Sequence, residues 1–221
     1  MKFLEEHVPL PLPPNLKPGP VNIGLMGGTF DPVHIGHLVS AEEARQQFSL
    51  DYVVFIPAGL PPHKEKEQVS PAEHRYLMTT LAVMSNPSFV VSRVEVDKDE
   101  PTYTIDTLSH FTDSCAPGTN FFFITGADAI MEILTWKDYF KLIRLCTFIA
   151  VSRPEFPLER LGETTAKLSL ELRTKIHLLE IPALAISSTF IRKRVALGKT
   201  IKYLTPEPVE QYIKKHGLYK K

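Results

Sequence analysis

The chain has 221 residues, with 25 Lys and Arg against 25 Asp and Glu, 43% hydrophobic residues and 23% charged ones. That length suits one domain with a buried core, and the balance of apolar and charged residues excludes global disorder. A formal net charge of zero argues against DNA or RNA as the main partner, though not against a small basic pocket.

The two cysteines, Cys115 and Cys146, make neither a disulfide scaffold nor a four-cysteine zinc site and read as buried free thiols. No apolar run reaches the ~18 residues that span a bilayer. The opening Met-Lys-Phe-Leu meets Glu5, Glu6 and then prolines, where a signal peptide would need an apolar core. The expectation is a cytoplasmic protein with no membrane partner.

Residues 1–20 hold Pro9, Pro11, Pro13, Pro14, Pro18 and Pro20, which deny the stretch ladder donors and helix interiors. They read as an extended arm ahead of a domain over 21–221, with residues 1–18 dispensable for any chemistry. From Val21 short apolar runs alternate with helical patterns. Strands are expected near 21–26, 52–56, 89–92, 120–125, 146–151 and 176–181. Helices are expected over 35–48, 71–84 (capped by Ser70), 104–111, 127–134, 164–175, 188–197 and 208–215. Such alternation means an α/β fold, Rossmann-like, with a mainly parallel sheet and helices on both faces. Ligands of these sheets bind at the carboxyl ends of the strands, so the strand-to-helix turns are the places to search.

The first such turn reads Gly27-Gly28-Thr29-Phe30-Asp31-Pro32-Val33-His34-Ile35-Gly36-His37. Consecutive glycines let backbone amides approach an anion closely. Two histidines three apart at the start of a helix put both rings on one side, at the positive end of its dipole. A polyphosphate laid there would meet amides, dipole and imidazoles together. Other glycine patterns fail: Gly24-x-x-Gly27-Gly28 lacks the dinucleotide-binding spacing, and Gly198-Lys199-Thr200 has Lys193 where a P-loop needs its first glycine. The sequence shows no metal-ligand spacing. Arg75, beside His74 on a helix, reads as one half of a structural ion pair.

The first turn resembles the signature of the nucleotidyltransferase superfamily with its (His/Thr)-x-Gly-His motif. Ile186-Ser187-Ser188-Thr189-Phe190-Ile191-Arg192 resembles that superfamily's Ile-Ser-Ser-Thr-x-x-Arg motif. Pro61-Pro62-His63-Lys64, Tyr103-Thr104-Ile105-Asp106-Thr107-Leu108, and Gly126-Ala127-Asp128 followed by Trp136 are similar to the branch of bacterial nicotinate-nucleotide adenylyltransferases. Residues 1–20 lie outside the pattern.

The resemblance implies a nucleotidyltransferase-type fold and transfer of AMP from ATP to nicotinate mononucleotide, giving nicotinate adenine dinucleotide and pyrophosphate. It implies His37 and His34 as catalytic donors to the phosphates. Phosphate and ATP contacts would come from Gly27, Gly28, Thr29, Phe30, Lys64, Gly126, Asp128, Ser187, Ser188, Thr189 and Arg192. Ser188 and Thr189 would cap the helix that follows them. Tyr103, Thr104 and Trp136 would hold the nicotinate mononucleotide. Asp128 on its own reads equally as a ribose contact or a helix cap, and Trp136 on helical spacing with Ile133 and Phe140 could be plain core. Mg2+ would arrive with ATP, with no dedicated protein metal site, and a homo-oligomer is compatible with all of this. The nearest alternative is adenylyl or cytidylyl transfer to another phosphorylated acceptor such as nicotinamide mononucleotide. A class I aminoacyl-tRNA synthetase fragment would need a Lys-Met-Ser-Lys-Ser loop that the sequence lacks. A silent nucleotide-binding regulator is a distant third.

Overall fold

The computed structural model describes residues 19–60, 69–152, 162–163, 165–182 and 185–220. The arm expected over 1–20, apart from its last two residues, and the loop carrying Lys64 lie outside the described residues. In chain order the elements are β1 (Asn22–Gly28), α1 (Ile35–Gln47), β2 (Tyr52–Pro57), α2 (Ala72–Val83), β3 (Phe89–Val91), α3 (Thr104–Ser114) and β4 (Asn120–Gly126). There follow α4 (Ala127–Met131), α5 (Tyr139–Leu145), β5 (Thr147–Ser152), α6 (Leu170–Arg173), β6 (Ile176–Glu180), α7 (Ser188–Ala196) and α8 (Glu207–His216). No helix among the described residues is long and apolar enough to cross a membrane.

The strands form one sheet in the order β3-β2-β1-β4-β5-β6, every pair parallel. Alternate residues along each strand feed opposite faces. Ile23, Leu25, Val54, Ile56 and Phe148 pack with Leu108 and Phe111 of α3, Ile130 of α4 and Leu142 of α5. Met26, Val53, Phe55 and Ile149 pack with Ala41 and Ala44 of α1, Met78 of α2, Ile191 of α7 and Val209 and Ile213 of α8. Both faces are covered, which is why the strands read as continuous apolar runs. The strand order reverses between β1 and β4, so the crevice for a ligand opens at the ends of these two strands.

Several expected elements differ in the structure. Pro71, not Ser70, is the N-cap of α2, and no side chain caps that helix. The helix expected over 127–134 stops at Met131 and tightens into a 3-10 turn, Ile133–Thr135. This seats Ile133 in the core beside Ile130, both fully buried, and delivers Trp136 in an extended conformation. Helix α5 was not expected. The polar helix expected over 164–175 is interrupted: residues 165–166 are helical, 167–169 are not, and α6, capped by Ser169, follows. Leu168 and Leu172 are its buried leucines, too few to anchor three turns. Cys146 is buried as expected, whereas Cys115 is only half-buried.

Candidate active site

Two helix N-termini and the carboxyl end of β1 converge on the glycine-rich turn. A Cβ on Gly28 would stand 2.9 Å from the ring of Phe30, because Phe30 adopts a left-handed conformation, φ 49°, that folds its ring back beneath the turn. The ring is 2% exposed, 5.7 Å from Phe55 and edge-on to His37 at 5.0 Å. Phe30 thus shapes the turn from below, and only its backbone is left to meet a phosphate. His34 is the N-cap of α1 and is buried. Its ring stacks on that of His37, with centroids 3.7 Å apart. The His34 backbone N–H donates to Nδ1 of His37 at 3.2 Å. A neutral ring accepting there carries its proton on Nε2, so His37 offers a donor on the nitrogen remote from the helix cap. At Gly36, between them, a Cβ would press on the His34 ring at 3.1 Å and ask the stacked pair to shift.

Helix α7 is bolted to the same turn. Ser187 is its N-cap, accepting the Phe190 N–H at 3.2 Å. Ser188, expected as a cap with Thr189, instead donates its hydroxyl to the Pro32 carbonyl at 2.8 Å. Capping needs the residue one place earlier, where the backbone is still extended. Arg192 donates to the Asp31 carbonyl at 2.7 Å and to the Thr189 hydroxyl at 3.3 Å, which holds its guanidinium at the edge of the turn.

A cavity of about 630 Å3 opens from Gly27, Gly28 and Thr29 to Tyr103, Thr104 and Trp136. Its far wall is the start of α3, where Tyr103 is the N-cap and no side chain caps the helix. Trp136 stands edge-on to Phe123 and Phe148, at 6.0 and 6.1 Å, so the core fixes its plane while it faces the cavity. Trp136 therefore packs on the core and lines the cavity at once. Thr125 and Ala129 in the same wall bracket Gly126 and Asp128. The Asp128 carboxylate lies over the Gly126 backbone, in the space a Cβ there would occupy. Lys64 lies outside the described residues.

Some of the site is held by residues the sequence reading did not select. Arg75 is 1% exposed. It donates to the carbonyls of Ser70 (2.8 Å), Thr29 (2.9 Å) and Gly59 (2.8 Å), where an ion pair was expected. Burial pushes its pKa down, and the nearby Asp31 charge opposes that shift. Glu95, in the cavity wall, accepts the hydroxyls of Thr102 and Thr107, both at 2.7 Å, fixing the turn into α3. Lys137 lies 4.4 Å over the Tyr103 ring and 3.3 Å from Asp106. A visible clue existed for Arg75: it occupies a helical stripe with Met78, Thr79 and Ala82, all buried.

An open parallel sheet whose reversal point carries paired imidazoles, two helix N-termini and a nucleotide-sized cavity defines a protein that handles phosphate esters of nucleosides. The profile of the cytidylyltransferase-like family matches residues 25–194, and the chain belongs to that family. A protein of Moorella thermoacetica named a probable nicotinate-nucleotide adenylyltransferase is 56% identical over 206 residues, 93% of this chain and 95% of its own. One of the same name from a Thermoanaerobacter species is 52% identical over 201 residues, 91% of this chain and 95% of its own. Among solved structures, the Plasmodium falciparum nicotinic acid mononucleotide adenylyltransferase complexed with NaAD has a TM-score of 0.70 at 24% identity, over 90% of this chain and 97% of that one. That likeness is one of fold.

Proposed function

We infer that the chain transfers AMP from ATP to nicotinate mononucleotide, giving nicotinate adenine dinucleotide and pyrophosphate. The observation that carries this reading is the cavity joining the phosphate turn to the Tyr103–Trp136 wall, a span suited to a mononucleotide with phosphate at one end and base at the other. The names of the relatives agree with it.

The acceptor's 5′-phosphate oxygen bonds to the α-phosphorus of ATP, the bond from that phosphorus to the bridging oxygen breaks, and pyrophosphate leaves with the electron pair. A phosphate monoester is already an anionic nucleophile, so no strong base is needed, and catalysis is positioning plus stabilisation of charge. In this reading His37, through Nε2–H, and His34 serve the reacting phosphates. The turn at Gly27–Phe30 adds backbone amides, and the N-termini of α1 and α7 add roughly half a positive charge each. Ser187, Ser188, Thr189, Lys64 and Arg192 attend the triphosphate, Arg192 with a planar fork that matches phosphate oxygens. Gly126 and Asp128 flank the ATP ribose. The imidazole, guanidinium and amide donors at the turn suit phosphate oxygens rather than a hard cation. The ion is therefore Mg2+ carried by ATP as part of the substrate. We place the reaction in the cytoplasm, where ATP is available.

Trp136 offers its π face to the electron-poor pyridinium ring. The uncapped start of α3 at Tyr103–Thr104 suits a ring carboxylate, which takes the place of the missing cap and is favoured by the dipole. The test is a panel of acceptors with ATP and Mg2+, read as pyrophosphate release. Nicotinate mononucleotide should give the highest kcat/KM, and turnover with some other acceptor alone would overturn the reading.

A further inference from the structure

We propose that Tyr219, in the turn that follows α8, is a positioning residue for the reaction: it holds the phosphate turn through Asp31 and so sets the place of His37. The role rests on the adenylyl-transfer reading above.

Asp31 is 3% exposed, a buried carboxylate carried by the turn. Its Oδ1 accepts the Tyr219 hydroxyl at 2.6 Å and its Oδ2 accepts the Ser70 N–H at 3.2 Å. Burial and the Asp31 charge push the phenol pKa upward, so Tyr219 stays a donor across the physiological range. The Asp31 backbone carbonyl is held by Arg192. On the other side of Phe30, the Thr29 carbonyl is held by Arg75. Phe30 is thereby anchored at both neighbours. Its left-handed backbone, φ 49°, is strained for a bulky residue and persists only where the surroundings over-determine it. The Phe30 ring, in turn, lies edge-on against His37. The path from Tyr219 to the imidazole is therefore four residues long and tightly packed at each step.

The ending of α8 brings that phenol to the turn. Gly217 takes φ 63° after the last helical turn, and Leu218 donates back to Ile213 at 3.1 Å, a Schellman ending that reverses the chain. Tyr219 follows with φ 64° and turns toward Asp31. A phenylalanine at 219 could pack there, but it would supply no donor.

Tyr219→Phe tests this. The expected result is kcat lower by about tenfold, the scale of a misplaced catalytic group. KM for the acceptor should stay within twofold, because the Tyr103–Trp136 wall is untouched. Asp31→Asn should lower kcat similarly, and the double variant should be no worse than the worse single one, since the pair acts as a unit. A purely structural tyrosine would lower Tm and leave kcat of the folded enzyme unchanged. Kcat within twofold of wild type at 25 °C, on protein shown folded by circular dichroism, overturns the proposal; additive losses in the double variant do the same. The His37 imidazole 15N resonances give a readout independent of turnover: they should move in Tyr219→Phe, and unchanged shifts contradict the proposal. Wild-type protein that releases no pyrophosphate with any acceptor would defeat the functional reading instead, and the imidazole shifts would still decide the role of Tyr219.

Discussion

Replacing Arg75 by methionine removes the strut beneath the phosphate turn while keeping most of the side chain's apolar stem. The guanidinium, 1% exposed, serves carbonyls of Ser70, Thr29 and Gly59 at 2.8–2.9 Å. Methionine has no donor to replace it. Each buried acceptor left without its partner costs about 1–3 kcal/mol, and Asp31 loses its neighbouring positive charge. Against this, the variant no longer buries a guanidinium, the same desolvation that pushes the Arg75 pKa down, and water can enter beside the Ser70 carbonyl. The net expectation is about 3–5 kcal/mol of destabilisation, the usual scale for breaking a buried charged network. For a chain of this size that is a fall in Tm of roughly 10 °C. Urea and thermal unfolding of both proteins at pH 7 measure it, and Arg75→Lys should recover part of the loss by serving one carbonyl. A change below 1 kcal/mol in Arg75→Met would refute the reasoning, because three carbonyls, that of Gly59 buried and the other two partly so, cannot all lose a charged donor so cheaply.

Other outcomes follow from the same structure. His37→Ala should lower kcat by on the order of 10²-fold or more, the scale of one preorganised donor, with the fold retained; single-turnover rates within threefold of wild type would refute that role. Trp136→Ala should weaken nicotinate and nicotinamide mononucleotide alike and leave their ratio of kcat/KM within about threefold, because a π face does not read the ring substituent. The Glu42 carboxyl is held down to a pKa of about 2 by its hydrogen bond from Arg45, with help from Gln46 and Asn86, against an ordinary value of 4.5. Its contribution is present above about pH 4.5 and lost as pH falls toward 2. The Tm gap between wild type and Glu42→Gln should therefore be constant above pH 5 and close in acid, and a gap independent of pH would contradict it.

The central strands β1, β2, β4 and β5 are legible because burial on both faces writes them as largely apolar runs, and the glycine-histidine turn is legible because its residues are adjacent. What the sequence hid depends on distance along the chain. Asp31 meets Ser70 and Tyr219, 39 and 188 residues away, and Arg75 meets Thr29 across 46; no local pattern encodes such pairs. Helix α5 escaped notice because it is seven residues long and begins at Asp138 in a left-handed conformation with no side-chain cap, so neither a start signal nor a sustained stripe marks it. The helix expected over 127–134 was misjudged for the opposite reason. Its helical spacing is real, but seating Ile133 beside Ile130 while presenting Trp136 to the cavity requires the tighter 3-10 turn. Ser188 and Thr189 read as caps of the right helix, but Ser187 caps it, since which residue caps depends on where the backbone leaves the extended region.

The most direct test of the central claim is kcat/KM for nicotinate mononucleotide against nicotinamide mononucleotide, with ATP and Mg2+ held saturating. The uncapped first turn of α3 in the cavity wall offers N–H groups to a carboxylate and would face the amide's own NH2 donors. Such mispairing costs enough that selectivity for the acid should be roughly 10²-fold or more. Equal values for the two acceptors, or preference for the amide, would contradict the account.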